Sequence, residues 1–392
     1  MLLGPSLDSM NERMLKNMQA RIDELALSGR DGATVDLWGW CRKAITAAST
    51  DAVYGPLNPF VDPELEQAFW YVLCWLVSVL ISVAYTPFRD FENNISMLFI
   101  GVFPKLIARK AYIAREKMVK ALIKYYKAKG HEDSSELTLE RYNTHQRLGV
   151  SVETTARAET AQVLGILSNS VPATFWLLFD LGMRPQLLAD IRDEIRQHAL
   201  KVDASSGKHS VDLTAIKDEC HLLVSVWQEL LRYRSTSAGI RIVYEDLVLN
   251  DQYLVKEGSL LQIPAYTINR EKGAWGTDAD EFKPLRFAHG KQKDLKLSSF
   301  LSFGATPYIC PGRHFATGEV LALTAMLVLR FDIEPVGGVW KEPKTNTKAT
   351  TSTLPPPVEE FPVRIASREE FAGALWEFTV TRGEAKFGLI TG

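Results

Sequence analysis

The sequence predicts a mainly α fold with small β-sheets, and three observations carry that prediction. Apolar residues recur at three- and four-residue spacing over 8–27, 36–49 and 104–128, with lysine and arginine filling the other face of the last stretch. From Ile240 the texture changes to short alternating runs, IRIVYEDLVL and YLVKEGSLLQIPAY, which read as hairpin strands turning at Asn250-Asp251 and Glu257-Gly258. No βαβ unit repeats along the chain, which argues against a doubly wound parallel sheet.

The remaining elements follow in order. SSGKHS at 205–210 is a loop, and VDLTAIKDECHLLVSVWQELLRYR after it reads as a pair of helical segments. A loop-rich stretch runs to Gly304, an apolar helix covers 312–330, and a proline-rich tail carries short strands. Composition is that of an ordinary globular protein, 46% hydrophobic and 23% charged. Lys+Arg (45) and Asp+Glu (47) nearly cancel, and no basic tract with interleaved aromatics appears, so a nucleic-acid partner is excluded. Four cysteines, at 41, 74, 220 and 310, share no regular spacing, which supports neither a disulfide framework nor a zinc ribbon. The opening MLLGPSLDSMNERMLKNMQ lacks the apolar core of a signal peptide. One segment stands apart: AFWYVLCWLVSVLISVAYTPF at 68–88 has no charged residue and is long enough to cross a hydrocarbon core of about 30 Å. It reads as a membrane span or as a buried helix.

Within FLSFGATPYICPGRHF, Cys310 lies between a Phe-Gly turn and a Pro-Gly step that opens the apolar helix. A lone cysteine is ordinarily a small buried hydrophobe. A sulfur at a helix N-terminus, however, feels the positive end of the helix dipole, which favours the thiolate. A buried thiolate needs a positive partner, and with no His or Cys ligands nearby a single-ligand metal centre points to haem. ELLR places Glu229 and Arg232 three residues apart on one helix face, where an arginine fork can hold a carboxylate, and Arg286 in FKPLRF is a second candidate for it. In LGILSNSVPATFWLLFDL a long apolar helix is interrupted by Ser168, Asn169, Ser170 and Pro172. Pro172 cannot donate to the Ser168 carbonyl, so a kink is expected there, either lining a pocket that is polar on one side or satisfied by serine back-bonding.

Together these residues resemble the cytochrome P450 family, the haem-thiolate monooxygenases. The likeness runs from about residue 35 to about 366 in the right order: the interrupted helix, Glu-x-x-Arg, the Trp-Gly-x-Asp-Ala and Phe-x-Pro-x-Arg-Phe pattern of IPAYTINREKGAWGTDADEFKPLRF, then Phe-Gly and Cys-Pro-Gly-Arg. The resemblance implies one domain over 1–392 with the P450 fold, 367–392 being a C-terminal extension. It implies that Cys310 is the axial ligand of a haem b iron, that Phe303 packs near the sulfur, and that Gly304 and Gly312 belong to the loop holding the cofactor. Glu229, Arg232 and Arg286 would form the family's structural cluster, and Arg241 would meet a haem propionate. The stretch from Thr236 to Ile240, with Ser237 and Ala238, would line the substrate side.

The departures from the pattern are specific. Where relatives carry an acid-Thr pair to relay protons, this chain is read as holding Ser168 and Asn169, and N-x-x-P-A-x-F-W is similar to the sterol 7α-hydroxylase and prostacyclin synthase branch. Thr306 replaces a glycine, Tyr308 replaces a basic residue, which puts one propionate contact in doubt, and Asn269 stands where histidine is usual. The family's membrane anchor, first β region and Trp-x-x-x-Arg helix are expected upstream of residue 1, so the chain reads as truncated at its N-terminus. Relatives run on from AFW directly into text like DFENNISMLFIGVFPKLIARKAY, so 71–89 looks inserted, as a translated unspliced intron would be.

The function implied is oxidation of an apolar small molecule of steroid, terpenoid or polyketide type. Dioxygen would be activated with electrons from an NADPH-dependent reductase, and Asn169 with Ser168 would orient bound oxygen or water. The expected setting is a monomer at the cytosolic face of the endoplasmic reticulum membrane, in secondary metabolism. Two alternatives stay open: reductase-independent rearrangement of a peroxide, and an inactive fragment or non-enzymatic ligand binder.

Overall fold

The computed structural model describes residues 3–28, 32–70, 105, 109–288, 295–305, 308–346, 349, 351–371 and 373–382. The architecture is helical, with four small sheets at its margins. Helix Gly4–Ser28 packs on helix Leu37–Tyr54; the first lies against helix Arg313–Arg330 and the second against helix Val152–Gly182, and these two pack on each other. The Asp36 carboxylate starts the second of these by accepting from Gly39 N at 2.9 Å, and its other oxygen accepts from Phe361 N at 2.8 Å. One N-cap therefore joins the helix to a chain segment far along the sequence.

Ser151 caps the long helix, accepting from Thr154 N at 3.2 Å, and Glu153 adds an acid to its first turn. Every residue from Ser170 to Leu181 is buried. Among the described residues this is the one helix long and apolar enough to span a bilayer, but 72% of its most apolar window is buried, so it is the core helix of the domain. The apolar stretch 68–88 falls outside the described residues beyond Trp70. At its start Phe69 and Trp70 are core residues, with Trp70 Nε1 donating to Thr46 Oγ1 at 3.0 Å.

The helix runs through Pro172 as one element. The proline leaves the Ser168 carbonyl without its helical donor, and Ser352 Oγ donates to that carbonyl at 2.8 Å instead. Ser168 Oγ returns a bond to Thr351 O at 2.9 Å, and Trp176 Nε1 donates to Pro355 O at 2.8 Å. A single extended segment of the proline-rich tail thus substitutes for the missing helix bond.

The alternating runs form strands as expected. β4 (Ala238–Ile242) pairs antiparallel with β7 (Leu260–Pro264), and β5 (Leu247–Leu249) with β6 (Tyr253–Val255). The latter hairpin turns at Asn250 and Asp251, both left-handed, φ 51° and 54°. β1 (Ala33–Asp36) and β8 (Phe331–Pro335) flank β9 (Pro362–Ser367), and β3 (His209–Asp212) lies between β2 (Leu200–Val202) and β10 (Trp376–Thr379). The described part of 367–392 is more than an appendage: β10 pairs parallel with β3, and Trp376 joins the core.

Candidate active site

The loop before helix Arg313–Arg330 is folded back on itself. Gly304 N donates to Leu301 O at 2.9 Å, Tyr308 N to Ala305 O at 2.9 Å and Cys310 N to Phe303 O at 2.7 Å. Gly304 makes the turn possible at φ +87°, where a side chain would be strained and its Cβ would meet Tyr308 O at 3.1 Å. This folding places Phe303 and Cys310 side by side on one cavity, with Gly312 opening the helix behind them; a Cβ on Gly312 would lie 3.9 Å from Cys310 Sγ.

The electrostatics of the thiol differ from the sequence expectation. Burial pushes the Cys310 thiol up, and the backbone N–H groups of Gly312 and Arg313 and the Arg313 charge oppose it without overcoming it. The helix terminus alone therefore does not hold a thiolate here. A cation at the sulfur would supply what is missing, because a metal-bound thiol is deprotonated outright.

The cavity measures about 470 Å³. Its long-helix wall carries Gln162, Gly165, Ile166, Asn169, Ser170 and Ala173. The polar pair facing it is Asn169 and Ser170, not Ser168 and Asn169. Ser168 is turned towards the proline-rich segment, its hydroxyl engaged by Thr351 O. Asn169 Oδ1 accepts from Thr353 N at 2.7 Å and Nδ2 donates to Ser168 Oγ at 3.3 Å, which fixes the amide with its donor side available. Of the predicted substrate-side stretch, Ser237, Ala238 and Gly239 line the cavity. Thr236 instead donates its N–H to Thr353 O at 2.8 Å, and Ile240 points to solvent, 61% exposed. Arg241 also reaches the cavity, with its guanidinium 5.1 Å from the centre of the Tyr308 ring, so the aromatic ring at 308 supports a cation where the pattern has a basic residue.

Beneath the loop, Glu229 and its two arginines are brought together. Arg232 engages the carboxylate through Nε at 2.7 Å and Nη2 at 2.8 Å, and Arg286 Nε lies 3.2 and 3.3 Å from its two oxygens. Lys283 N adds a bond at 2.7 Å. The guanidiniums spend their other donors on the carbonyls of Asn269, Ala279, Glu281, Trp275 and Asp278. The cluster pins the loop-rich stretch to helix His221–Arg234 and touches no cavity wall; it is structural.

Two cavity or near-cavity residues escaped the sequence reading, and Ser170 was read there only as part of the interruption at Pro172. Gln162 was hidden in helix phase, and Glu319 is a lone charge inside the apolar run FATGEVLALTAMLVL. A Trp-x-x-x-Arg spacing does occur, at Trp38 and Arg42, but neither faces the cavity. Trp38 packs edge-on against Phe175 at 5.8 Å, and Arg42 lies over the Trp70 ring at 5.5 Å.

Comparison with known proteins agrees with this geometry. The family model described as Cytochrome P450 matches residues 64–361. Cytochrome P450 monooxygenase nodJ of Hypoxylon pulicicidum is 41% identical over 401 residues, covering 100% of this chain and 74% of that protein. The chain belongs to the cytochrome P450 family. The 25-hydroxycholesterol 7-alpha-hydroxylase of Rattus norvegicus is 25% identical, covering 86% of this chain and 80% of that protein. The solved structure of a retinoic acid bound cyanobacterial CYP120A1 superposes with a TM-score of 0.68 at 18% identity, covering 94% of this chain and 76% of that one, and shows the P450 fold. As a member of this oxidoreductase family the chain is expected to take a haem held by cysteine thiolate. Its residues fit that group: one thiol on a largely apolar cavity, backbone N–H groups turned to the sulfur, glycines where the loop closes, and an arginine among the lining residues.

Proposed function

We propose that this cytochrome P450 is a haem-thiolate monooxygenase that hydroxylates or otherwise oxidises an apolar small molecule of steroid, terpenoid or polyketide type. Its electrons would come from an NADPH-dependent reductase. The observation that carries the reading is that Cys310 and the pair Asn169–Ser170 share one cavity whose remaining walls are largely apolar, among them Leu231, Ile263, Leu301, Phe315 and Val320. Cys310 would hold the iron and Arg241 a propionate. The bound haem would supply dioxygen activation and insertion of oxygen into a C–H bond.

The protein's part is positioning. Because Thr353 N occupies Asn169 Oδ1 and Ser168 Oγ takes one amide hydrogen, the amide has one N–H left, which would orient a bound oxygen or a water. Ser237, Ala238 and Gly239 would set the near edge of the substrate, and the apolar walls keep water from it. A fungal monooxygenase and a sterol hydroxylase among the relatives support an apolar substrate and a role in secondary metabolism. We place the protein as a monomer at the endoplasmic reticulum membrane.

A second reading, rearrangement of a peroxide without a reductase, is favoured by one observation: an amide and a hydroxyl face the cavity and no carboxylic acid does, among the described residues. Product formation measured with NADPH and reductase, against turnover of an organic hydroperoxide with no electron donor, separates the two. NADPH consumption matched by product supports the monooxygenase; hydroperoxide turnover alone supports rearrangement.

A further inference from the structure

A second cavity adjoins the one that Cys310 lines. It measures about 260 Å³ and lies between the start of helix Gly4–Ser28, the end of helix Leu37–Tyr54 and the start of helix Glu136–Arg147. Ser9 and Glu136 on its wall are exposed, so it opens to solvent. Met10 is the one residue that lines both cavities. Beside it the chain passes twice from one to the other: Ala52 and Glu136 face the second cavity, and the residues that follow them, Val53 and Leu137, face the first. Met10 is therefore their shared wall, and an unbranched thioether is a side chain that moves aside at little cost.

The two spaces differ in chemistry. Where the first is largely apolar, the second presents four serines, Arg13 and Glu136. Ser134 Oγ donates to His131 O at 2.7 Å and Ser135 Oγ to Val53 O at 2.9 Å, so these two hydroxyls are used within the fold. The charged pair is not. Arg13 Nη1 donates to Asp133 O at 3.3 Å, and the guanidinium makes no other hydrogen bond and no ion pair among the described residues. Glu136 accepts from Ser6 Oγ through Oε2 and, among the described residues, from no cation. A strong donor and a strong acceptor thus share one cavity without engaging each other. A carboxylate there would be repelled by Glu136 and an amine by Arg13, whereas a hydroxyl both accepts and donates.

We propose that this polar cavity is a subsite for the hydroxyl end of an elongated apolar substrate, whose body passes Met10 into the cavity of Cys310. Arg13 donates to the hydroxyl oxygen and Glu136 accepts its hydrogen. Resting on the oxygenase reading, this narrows the substrate to a molecule that already carries a hydroxyl group remote from the carbon to be oxidised.

Equilibrium dialysis of the full-length haem-loaded protein against radiolabelled 1-dodecanol, n-dodecane and dodecanoate tests this, with wild type, Arg13→Met and Glu136→Gln. In wild type the alcohol should bind at least about tenfold more tightly than the alkane, as hydrogen bonds to charged groups allow, and more tightly than dodecanoate. Arg13→Met should cut that advantage to about twofold or less while alkane binding is unchanged, which shows the cavity intact. Glu136→Gln should strengthen dodecanoate binding and leave the alkane alone. Equal binding of alcohol and alkane, tighter binding of dodecanoate than of the alcohol in wild type, an alcohol advantage that survives in Arg13→Met, or dodecanoate binding unmoved by Glu136→Gln would overturn the inference, even in an enzyme with reductase-supported turnover. The expected preferences in a protein without such turnover would count against the oxygenase reading and leave the subsite standing.

Discussion

Two glutamates are fully buried on neighbouring helices, and their surroundings are opposite. Glu229 receives the fork of Arg232, the Nε of Arg286 and a backbone N–H, and the arginines' other donors are taken by carbonyls and by the Asp278 carboxylate. Glu319 receives a hydroxyl on one oxygen, lacks a donor on the other, and has no cation near it. The first arrangement compensates a charge and fixes a loop; the second makes the charged and neutral forms close in energy at neutral pH. Partner number, not burial, separates a compensated charge from a carboxyl pushed up to about 7.

The sharpest way to break the contrast is to neutralise the brace. Glu229→Gln would leave the buried Arg232 without its carboxylate and Arg286 with Asp278 alone, and loss of about 3–5 kcal/mol is expected, read as a lower urea midpoint. Neutralising the other acid should do the reverse at high pH. Because the folded-state value of Glu319 lies above its ordinary 4.5, its contribution is fully present below about 4.5 and is lost as pH rises through about 7. Wild type should lose about 3 kcal/mol over that interval relative to Glu319→Gln, which carries no such slope in denaturation curves taken at several pH values. A smaller effect concerns the bond that lets the long helix pass Pro172. Ser352→Ala leaves the Ser168 carbonyl without a donor, and a loss of about 1–2 kcal/mol is expected by the same measurement.

Much of this was legible in the sequence because its signals are local. The Glu229–Arg232 pair follows from helical spacing, the hairpin at Asn250-Asp251 from turn chemistry, and the buried helix after Cys310 from its unbroken apolar run. What escaped depends on distant chain. Pro172 reads locally as a kink with an unmet carbonyl, and the donor that meets it comes from Ser352, 184 residues away from Ser168. Each residue turns a helix by about 100°, so which members of Ser168, Asn169 and Ser170 face the cavity is a matter of phase: Asn169 lines it as expected, Ser168 turns away, and Ser170, given no role in the sequence reading, lines it. The Cys310 thiol illustrates competing magnitudes: the helix terminus acts as expected, but burial outweighs it.

The central claim is that Cys310 binds haem iron, and the absorption spectrum of the reduced, carbon-monoxide-bound full-length protein tests it directly. The wild type and Cys220→Ala should both show the Soret band in the thiolate-ligated position, since Cys220 is buried away from the cavity. Cys310→Ala should lose it. A thiolate-type band that survives in Cys310→Ala, or fails to form in wild type supplied with haem, would contradict the assignment.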